Sequence, residues 1–269
     1  MECLVCNRNM FYIFSKDYVN SAFYSMMADI KIVDYYKCEN CGFTISKTHS
    51  DMDYKRWAKL NYDFHHFLEN NGASINQPPY LAQAVMIKVL TQNGIIDGFS
   101  ILDYAGGYGT LSLILKKYFN FNLPVYDPYV QRQNSIDYIQ KKDLEKYQTV
   151  FNSALFEHLL DRTSFDEINS LVCDGGAMII HSVICEQIPK DPNWFYLDPP
   201  VHTTFHTNKS MNILMKQWGY KSSIYCLSAK SWILLKRNDL EIKRKCEQIN
   251  AEFQAQYLIY QEGFVDYWK

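Results

Sequence analysis

The sequence lacks an excess of positive charge. Its 269 residues include 27 lysines and arginines against 29 aspartates and glutamates, which gives a formal net charge of −2. Proteins that bind a nucleic-acid backbone usually carry a basic surplus, so the composition disfavours that class over the chain as a whole. The net charge still allows nucleic-acid binding through a local basic patch.

The sequence also lacks a long hydrophobic run. The longest one, around residues 176–185, is interrupted by His181 and is too short to span a bilayer. The first residues show neither the basic region nor the apolar region of a secretory signal peptide. We therefore expect a soluble, cytoplasmic protein without membrane insertion, and the sequence does not indicate its oligomeric state.

Residue composition is that of a globular protein with ample material for a core. Hydrophobic residues make up 48% of the chain and charged residues 21%. The length allows one large α/β domain with small additions, or two modest domains.

The most informative stretch is a glycine-rich turn between an apolar run and an apolar helix. The run covers residues 99–103 and ends at Asp103, and the helix begins at residue 111. Glycines allow a tight turn and a close approach of ligand to backbone, and a helix N-terminus offers free N–H groups. The residues of this turn are Ala105, Gly106, Gly107, Tyr108 and Gly109.

A second acid strengthens the interpretation of the turn as a nucleotide site. Asp127 ends the next apolar run, residues 121–126, at the position where an acid holds a ribose diol. Because Asp103 precedes the glycines, the pattern differs from the dinucleotide fingerprint and resembles the first motif of class I S-adenosylmethionine (SAM) methyltransferases. Ala105 stands where the first glycine of that motif is usual, so we expect SAM binding to survive with a slightly different turn.

The resemblance implies a fold and further cofactor contacts. It implies a mostly parallel, Rossmann-like α/β sheet with a terminal antiparallel hairpin, which residues 222–227 and 231–235 can form. An acid after the third strand contacts the adenine amino group in this family. The candidate is Asp143, with a solvated loop carboxylate as the alternative. Phe156, Glu157 and His158 look like the Glu-His segment that follows the fourth strand in many members, and Phe156 is a further cofactor candidate.

Candidate catalytic groups come from two positions near the predicted methyl group. His202 lies in a long insertion over residues 186–208, and His158 ends the fourth predicted strand. Histidine titrates near neutral pH, so His202 or His158, in that order, is the candidate base. Each could instead be structural or orient the substrate, and Glu157 could orient His158 or contact the cofactor.

Other histidines and aromatic residues allow two interpretations each. His65 and His66 are exposed or capping residues, or a catalytic pair, in a helical segment that would cover the cofactor mouth. Trp194, Tyr196 and Phe205 form an aromatic wall for a sugar or planar ligand, or they pack within the insertion.

Four of the eight cysteines form two C-x-x-C pairs. The first pair is Cys3 and Cys6, and the second is Cys38 and Cys41, followed by Gly42. Two such pairs suit one tetrahedral zinc ion, whose closed shell would be structural. Buried free thiols or a redox pair are the alternatives. We thus predict a zinc-ribbon-like module over residues 1–50, a helical cap over 51–95, a SAM-binding domain over 96–238, and a C-terminal helix and tail over 239–269.

An N-terminal four-cysteine module before a methyltransferase domain resembles two groups of enzymes. The form of residues 38–43 is closer to methyltransferases of nucleotide-linked sugars than to a ribosomal-RNA guanine methyltransferase. This favours SAM-dependent methylation of a sugar-like small molecule, in polysaccharide or secondary-metabolite biosynthesis, without nucleic acid. The alternatives are an RNA base methyltransferase that holds RNA with its zinc module, and a non-catalytic protein that keeps the fold.

Overall fold

Two β-sheets organise the chain. The computed structural model describes residues 1–70, 78–130 and 136–267. Within these ranges the strands are, in chain order, β1 Met10–Asp17, β2 Ile32–Cys38, β3 Thr44–Ser46, β4 Ile101–Tyr104, β5 Val125–Tyr126, β6 Tyr147–Ser153, β7 Val172–His181, β8 Ile184–Cys185, β9 Thr204–Thr207, β10 Ser222–Cys226, β11 Ser231–Leu235 and β12 Leu258–Glu262.

The α-helices of the same ranges lie between and around these strands. They are α1 Tyr24–Met27, α2 Lys47–Ser50, α3 Tyr54–Asn70, α4 Tyr80–Gln92, α5 Thr110–Phe119, α6 Arg162–Ser170, α7 Asn208–Gln217 and α8 Leu240–Glu252. No helix in the described part of the chain combines the length and hydropathy needed to cross a bilayer.

Side-chain caps fix the starts of two helices near the site. Thr207 caps α7 as the sequence predicts, since its hydroxyl accepts from the N–H of Ser210. Ser164 and Glu167 have the sequence spacing of a capping box, but this prediction for α6 is wrong. The helix begins at Arg162, three residues earlier than a Ser164 cap would place it, and Asp161 caps it by accepting from the N–H of Ser164 at 2.9 Å.

The larger sheet has seven strands in the order β12-β10-β11-β7-β6-β4-β5. Strands β5, β4, β6 and β7 pair in parallel, and β11, β10 and β12 continue the sheet through antiparallel pairs. The mostly parallel α/β sheet with a terminal hairpin is therefore confirmed. The segment predicted as a helix and tail supplies a strand of this sheet, because the chain turns after α8 and β12 pairs with β10.

The sequence pattern of residues 136–139 predicts a third parallel strand, but the structure forms only one bridge there. Tyr138 pairs in parallel with Val125, and Ile139 donates its N–H to the Val125 carbonyl at 2.8 Å. Strand β5 is only two residues long, so it offers little edge on which a longer strand could form.

The smaller sheet joins the N-terminal segment to the insertion after β7. Its order is β1-β2-β3-β9-β8, in which β3 and β9 are antiparallel with Thr44 opposite Phe205. Residues 1–50, predicted as a separate module, thus share one sheet with residues 184–207. This pairing holds the insertion, and with it His202, beside the residues that follow β6, where the rings of His202 and His158 are in contact.

Neighbouring residues of the central strands pack on opposite faces of the larger sheet. Met178 faces α6, α7 and the cysteine pairs, whereas Ile179 faces α4, α5 and α8. A third cluster lies between the smaller sheet and α3, with Tyr35 and Phe205 at its centre. The parallel strands are therefore covered on both faces, as their apolar sequences require.

Candidate active site

Two glycines of the turn after β4 are required by close contacts. A Cβ on Gly106 would lie 2.5 Å from Oδ2 of Asp103 and 2.9 Å from Val125. Gly109 has a φ of +68°, and a Cβ there would lie 2.4 Å from Ile136. Any larger residue would displace the Asp103 carboxylate or the segment that follows β5.

Gly107 and Ala105 both have left-handed backbone conformations in this turn. Gly107 has a φ of +54°, and a Cβ there would meet no atom within 4 Å, so its backbone faces open space. Ala105 also has a left-handed backbone, with a φ of +60°. A position of this kind favours glycine, which explains the usual glycine of the motif and means that Ala105 carries local strain.

Asp127 ties the turn to the end of β5. Its Oδ2 accepts the Gly107 N–H at 2.8 Å, and its Oδ1 accepts the N–H groups of Tyr129 and Val130, each at 2.8 Å. Asp127, the residue predicted to bind the ribose, therefore lies beside the glycine turn, and three backbone N–H donors fix its carboxylate. Tyr138 adds a bond from its hydroxyl to the Gly107 carbonyl at 2.9 Å.

Asp103 is buried beneath the turn with an unsatisfied acceptor. Its side chain is 2% exposed, and Oδ1 has no hydrogen-bond partner among the described residues. Burial, followed by the negative charge of Asp127, raises the pKa of Asp103 well above its usual range. A ligand amine in the adjoining space would supply the missing donor and favour the carboxylate.

One cavity of about 950 Å³ joins the glycine turn to the histidines. Its volume is within the range of small-molecule sites. Helix α3 contributes Tyr54, Trp57 and His65 to its lining. Asp103, Ala105, Gly106, Gly107 and Asp127 line one end, and Glu157, His158 and His202 line the same cavity.

Three imidazoles meet in this cavity. The ring centroids of His158 and His202 are 5.3 Å apart, as are those of His158 and His65. Burial lowers the pKa of His202 to about 4 and lowers that of His158 well below its usual value, with the neighbouring imidazoles adding to the effect on His158. Both side chains are therefore neutral at pH 7, as a proton acceptor must be.

Tyr196 holds two members of the cluster. Its hydroxyl donates to Oε1 of Glu157 at 2.6 Å, and its carbonyl lies 2.9 Å from Nδ1 of His202. A carbonyl can only accept, so Nδ1 of His202 carries the proton and Nε2 keeps a free lone pair. Burial raises the pKa of Glu157, an effect that the Tyr196 bond opposes.

Several predicted site residues lie outside the cavity. Asp143 is exposed in a 3₁₀ turn over residues 141–143, and Lys141 lines the cavity from that turn instead. Phe156 is fully buried against Phe165 and Trp218, because the 3₁₀ turn after β6 directs Glu157 and His158 to the opposite side. The adenine role of Asp143 and the cofactor role of Phe156 therefore find no support, and Gly109 serves the turn without lining the cavity.

Of the two interpretations of the aromatic residues in the insertion, the structure favours packing for Trp194 and Phe205. The ring centroids of Trp194 and Phe205 are 5.3 Å apart within the cluster next to α3, and of the three residues only Tyr196 lines the cavity. Phe195, Leu155 and Tyr126 line it as well and were not identified from the sequence. Among the cavity residues outside the predicted site, the sequence singled out only the His65-His66 pair. The ring of His65 contacts that of His158.

The four paired cysteines meet at one point. Their sulfurs lie within 4.8 Å of one another, with Cys3 and Cys41 separated by 3.6 Å and Cys6 and Cys38 by 3.4 Å. Zn–S bonds of about 2.3 Å in a tetrahedron place sulfurs about 3.8 Å apart, so the cluster is close to zinc geometry. A hydrogen bond from the Cys41 thiol lowers the pKa of Cys3, which eases formation of a thiolate.

The first cysteine loop is bound to the larger domain. Arg162 of α6 donates to the Leu4 carbonyl at 3.2 Å, and Gln217 of α7 donates to the Val5 carbonyl at 2.9 Å. The Thr207 hydroxyl donates to the Cys41 carbonyl in the second loop. The cysteine cluster therefore connects the N-terminal segment to α6 and α7 rather than projecting from the protein.

Solved methyltransferase structures resemble this chain at low identity. The plantazolicin methyltransferase in complex with S-adenosylhomocysteine is 12% identical over 71% of this chain and 93% of that chain, with a TM-score of 0.44. A methyltransferase from Thermotoga maritima, described as a possible histamine N-methyltransferase, is 11% identical over 67% and 98%, with a TM-score of 0.46. Magnesium protoporphyrin IX methyltransferase from Synechocystis PCC 6803 is 14% identical over 68% and 87%, with a TM-score of 0.36. Because all three TM-scores are below 0.5, these structures carry no argument about the methyl acceptor of this chain.

The family of the chain is established by a match to a family profile. No curated protein matches the chain. The profile of the methyltransferase domain family matches residues 54–222, which is well over half of the chain and includes the glycine turn, Asp127 and the histidine cluster. The chain therefore belongs to the methyltransferase domain family, and its sheet and glycine turn are those of a class I SAM-dependent methyltransferase.

Proposed function

We propose that this protein transfers a methyl group from SAM to a small molecule, and that the acceptor is a sugar or a nucleotide-linked sugar. The observation that carries the proposal is the shared cavity. The glycine turn lines one end of it, and neutral imidazoles beside a buried carboxylate line the same space. Binding and proton removal, which methyl transfer requires, can therefore occur within one site.

Residues at the turn fit SAM. The open backbone at Gly107 leaves room for the nucleoside, and Asp127 is next to it to bind the ribose hydroxyls. The buried, unpartnered Oδ1 of Asp103 fits the amino group of the methionine part. When bound, SAM supplies a methyl group that its sulfonium already activates, so the chain must chiefly align the acceptor and accept its proton.

His202 and His158 are the groups proposed to receive the acceptor's proton. The free lone pair on Nε2 of His202 is the best-defined acceptor, because the Tyr196 carbonyl fixes the tautomer. Glu157 is proposed to act through Tyr196, whose hydroxyl donates to its carboxylate and whose carbonyl accepts from His202. Lys230, which lines the same cavity, and Asn61 offer polar contacts to a hydroxylated acceptor.

Charge in the cavity supports a small acceptor over RNA. Of the charged side chains from the described residues that line it, five are carboxylates and two are lysines. A cavity with this balance disfavours a long phosphate backbone, and it is better suited to an uncharged sugar or to the sugar end of a nucleotide-linked sugar. The form of residues 38–43, which resembles the sugar-methylating group, points in the same direction.

The four-cysteine cluster is proposed to bind one structural zinc ion. Backbone N–H groups of Val5 and Cys41 point at Cys3 and Cys38 at 3.4 and 3.5 Å, which stabilises negative sulfur. Four thiolates leave no open position, so the ion would hold the two loops together and take no part in methyl transfer. A zinc ion here would also hold together the ends of β1 and β2 at which Met10 pairs with Cys38.

The RNA alternative would need the zinc module as a gripping surface. Two carbonyls of the first loop are instead bonded to α6 and α7, which commits this loop to the larger domain. A filter-binding assay separates the two functions. Tight, salt-sensitive RNA binding with methyl incorporation into RNA would refute the sugar proposal.

Two measurements test the proposal directly. Calorimetry should show one SAM site per chain, and radiolabelled methyl groups should appear in a panel of nucleotide-linked sugars but not in RNA. If calorimetry shows no SAM binding, the result would support the alternative of a non-catalytic protein that keeps the fold.

A further inference from the structure

Three potential metal ligands converge at the acceptor end of the cavity. One ligand atom from each of Glu157, His158 and His202 lies within 4.8 Å of the others. Bonds of about 2.1 Å to a single ion require ligand atoms separated by about 3–3.5 Å. Side-chain movements of about 1–2 Å would therefore complete a three-ligand site.

Two buried atoms in this cluster have no partner. Oε2 of Glu157 and Nδ1 of His158 make no hydrogen bond to any described residue, although the side chains are 2% and 8% exposed. Leaving a buried polar atom unsatisfied costs about 1–3 kcal/mol, so two such atoms on neighbouring residues of one cluster need an explanation. A cation between them satisfies both atoms at once.

The surroundings orient the ligands as metal sites do. The Tyr196 carbonyl accepts from Nδ1 of His202, which directs the Nε2 lone pair away from it. The Tyr196 hydroxyl occupies Oε1 of Glu157 and leaves Oε2 available. Partners of this kind fix the tautomer of a ligating histidine and the rotamer of a ligating carboxylate.

We propose that Glu157, His158 and His202 bind one divalent transition-metal ion, separate from the four-cysteine cluster. Two imidazoles and a carboxylate suit ions such as Mn²⁺, Fe²⁺ or Zn²⁺ and leave coordination positions open. The inference rests on the proposed function, because it assigns the open positions to the methyl acceptor. It also narrows the acceptor to a molecule that ligates through a hydroxyl oxygen.

The metal changes how the acceptor loses its proton. A hydroxyl bound to a divalent cation is more acidic than in water, so its proton can pass to solvent and leave a metal-bound alkoxide. The alkoxide oxygen then forms the new C–O bond as the C–S bond breaks, and the electron pair of that bond stays on sulfur. In the metal-loaded protein Nε2 of His202 would be a ligand, and this role would replace the proton-accepting role proposed above for the metal-free site.

Mn²⁺ is the probe that distinguishes this site from the cysteines. Oxygen and imidazole ligands suit Mn²⁺, whereas thiolates select softer ions, so protein loaded with no more than one zinc ion per chain can be titrated directly. Electron paramagnetic resonance should show one bound Mn²⁺ per chain. Glu157→Gln and His202→Ala should each weaken binding by at least about tenfold.

Controls keep the test decisive if one variant is unstable. Glu157→Gln retains an oxygen for the Tyr196 bond, so it should keep the wild-type circular dichroism spectrum. His66→Ala removes an exposed imidazole from the same cavity and should leave Mn²⁺ binding unchanged. Absence of Mn²⁺ binding to the wild type, or equal binding by wild type and both ligand variants, would overturn the proposal.

SAM titrations on the same samples separate this inference from the proposed function. The glycine turn is untouched in Glu157→Gln, so SAM should bind the variant as it binds the wild type. Loss of SAM binding in all samples with Mn²⁺ binding intact would refute the proposed function and leave the metal site in place.

Discussion

The hydroxyl of Tyr196 donates a 2.6 Å hydrogen bond to the buried carboxylate of Glu157. Tyr196→Phe removes the donor and leaves a second unsatisfied oxygen on Glu157. Hydrogen bonds to charged groups contribute about 1.5–3 kcal/mol, so we expect the free energy of unfolding in urea at pH 7 to fall by about that amount.

Tyr220→Phe is the matched control for that change. Tyr220 is also buried, but its hydroxyl has no hydrogen-bond partner in the described part of the chain. Its removal should be neutral or slightly stabilising. Equal losses in the two variants would mean that the Tyr196 bond contributes nothing specific.

Ala105→Gly should stabilise the protein. The φ of +60° at Ala105 costs about 1–2 kcal/mol for a residue with a Cβ, and the added flexibility of glycine in the unfolded chain offsets part of the gain. We expect a net increase of about 0.5–1 kcal/mol in the free energy of unfolding. Ala251→Gly, at an exposed position of α8, should lower it instead. A loss of stability in Ala105→Gly would show that the turn is not strained.

Removal of one cysteine ligand should release the proposed zinc. We expect wild-type protein to contain one zinc per chain by mass spectrometry, and Cys6→Ser to contain much less and to unfold at a lower temperature. Cys173→Ser changes a cysteine outside the cluster and should keep the zinc. A wild-type protein without zinc, or a Cys6→Ser variant that retains it, would contradict the assignment.

Acid should destabilise the fold through its buried histidines. Burial lowers the pKa of His206 to about 3 from an ordinary value of 6.5, so below pH 6.5 the unfolded chain takes up a proton that the folded chain does not. The free energy of unfolding therefore falls as the pH decreases, by on the order of 2 kcal/mol from this group between pH 8 and pH 5.

His206→Gln isolates that contribution. The variant loses some stability at every pH because His206 packs against Phe43 and Phe165, but its stability should change less between pH 8 and pH 5. Urea unfolding at the two pH values measures the difference. Identical pH dependence in both proteins would show that His206 titrates normally when folded.

Local sequence patterns predicted the part of the site that local geometry determines. The turn between Asp103 and Gly109 could be identified because its glycines are required by contacts a few residues away, and Asp127 because it ends the adjacent strand. The Thr207 cap and the β10–β11 hairpin were likewise predictable, since both depend on residues next to each other in the chain.

Long-range pairing decided what the sequence could not. The pairing of β3 with β9 joins residues about 160 positions apart, and it brings His202 to His158. Phe156 and Glu157 are neighbours in sequence but face opposite sides of a 3₁₀ turn, which a residue pattern does not reveal. Tyr196 binds both Glu157 and His202 only because the insertion is placed beside the turn after β6. The sequence alone therefore identified Tyr196 only as one of several aromatic residues.

Calorimetric titration of SAM into the wild type, Asp127→Ala and Asp143→Ala is the most direct test of the central claim that the turn beside Asp127 binds SAM. We predict one site per chain in the wild type, affinity reduced by about ten- to a hundredfold in Asp127→Ala, and no change in the exposed Asp143→Ala. A wild type that takes up no SAM, or an Asp127→Ala variant that binds it as tightly as the wild type, would contradict the account.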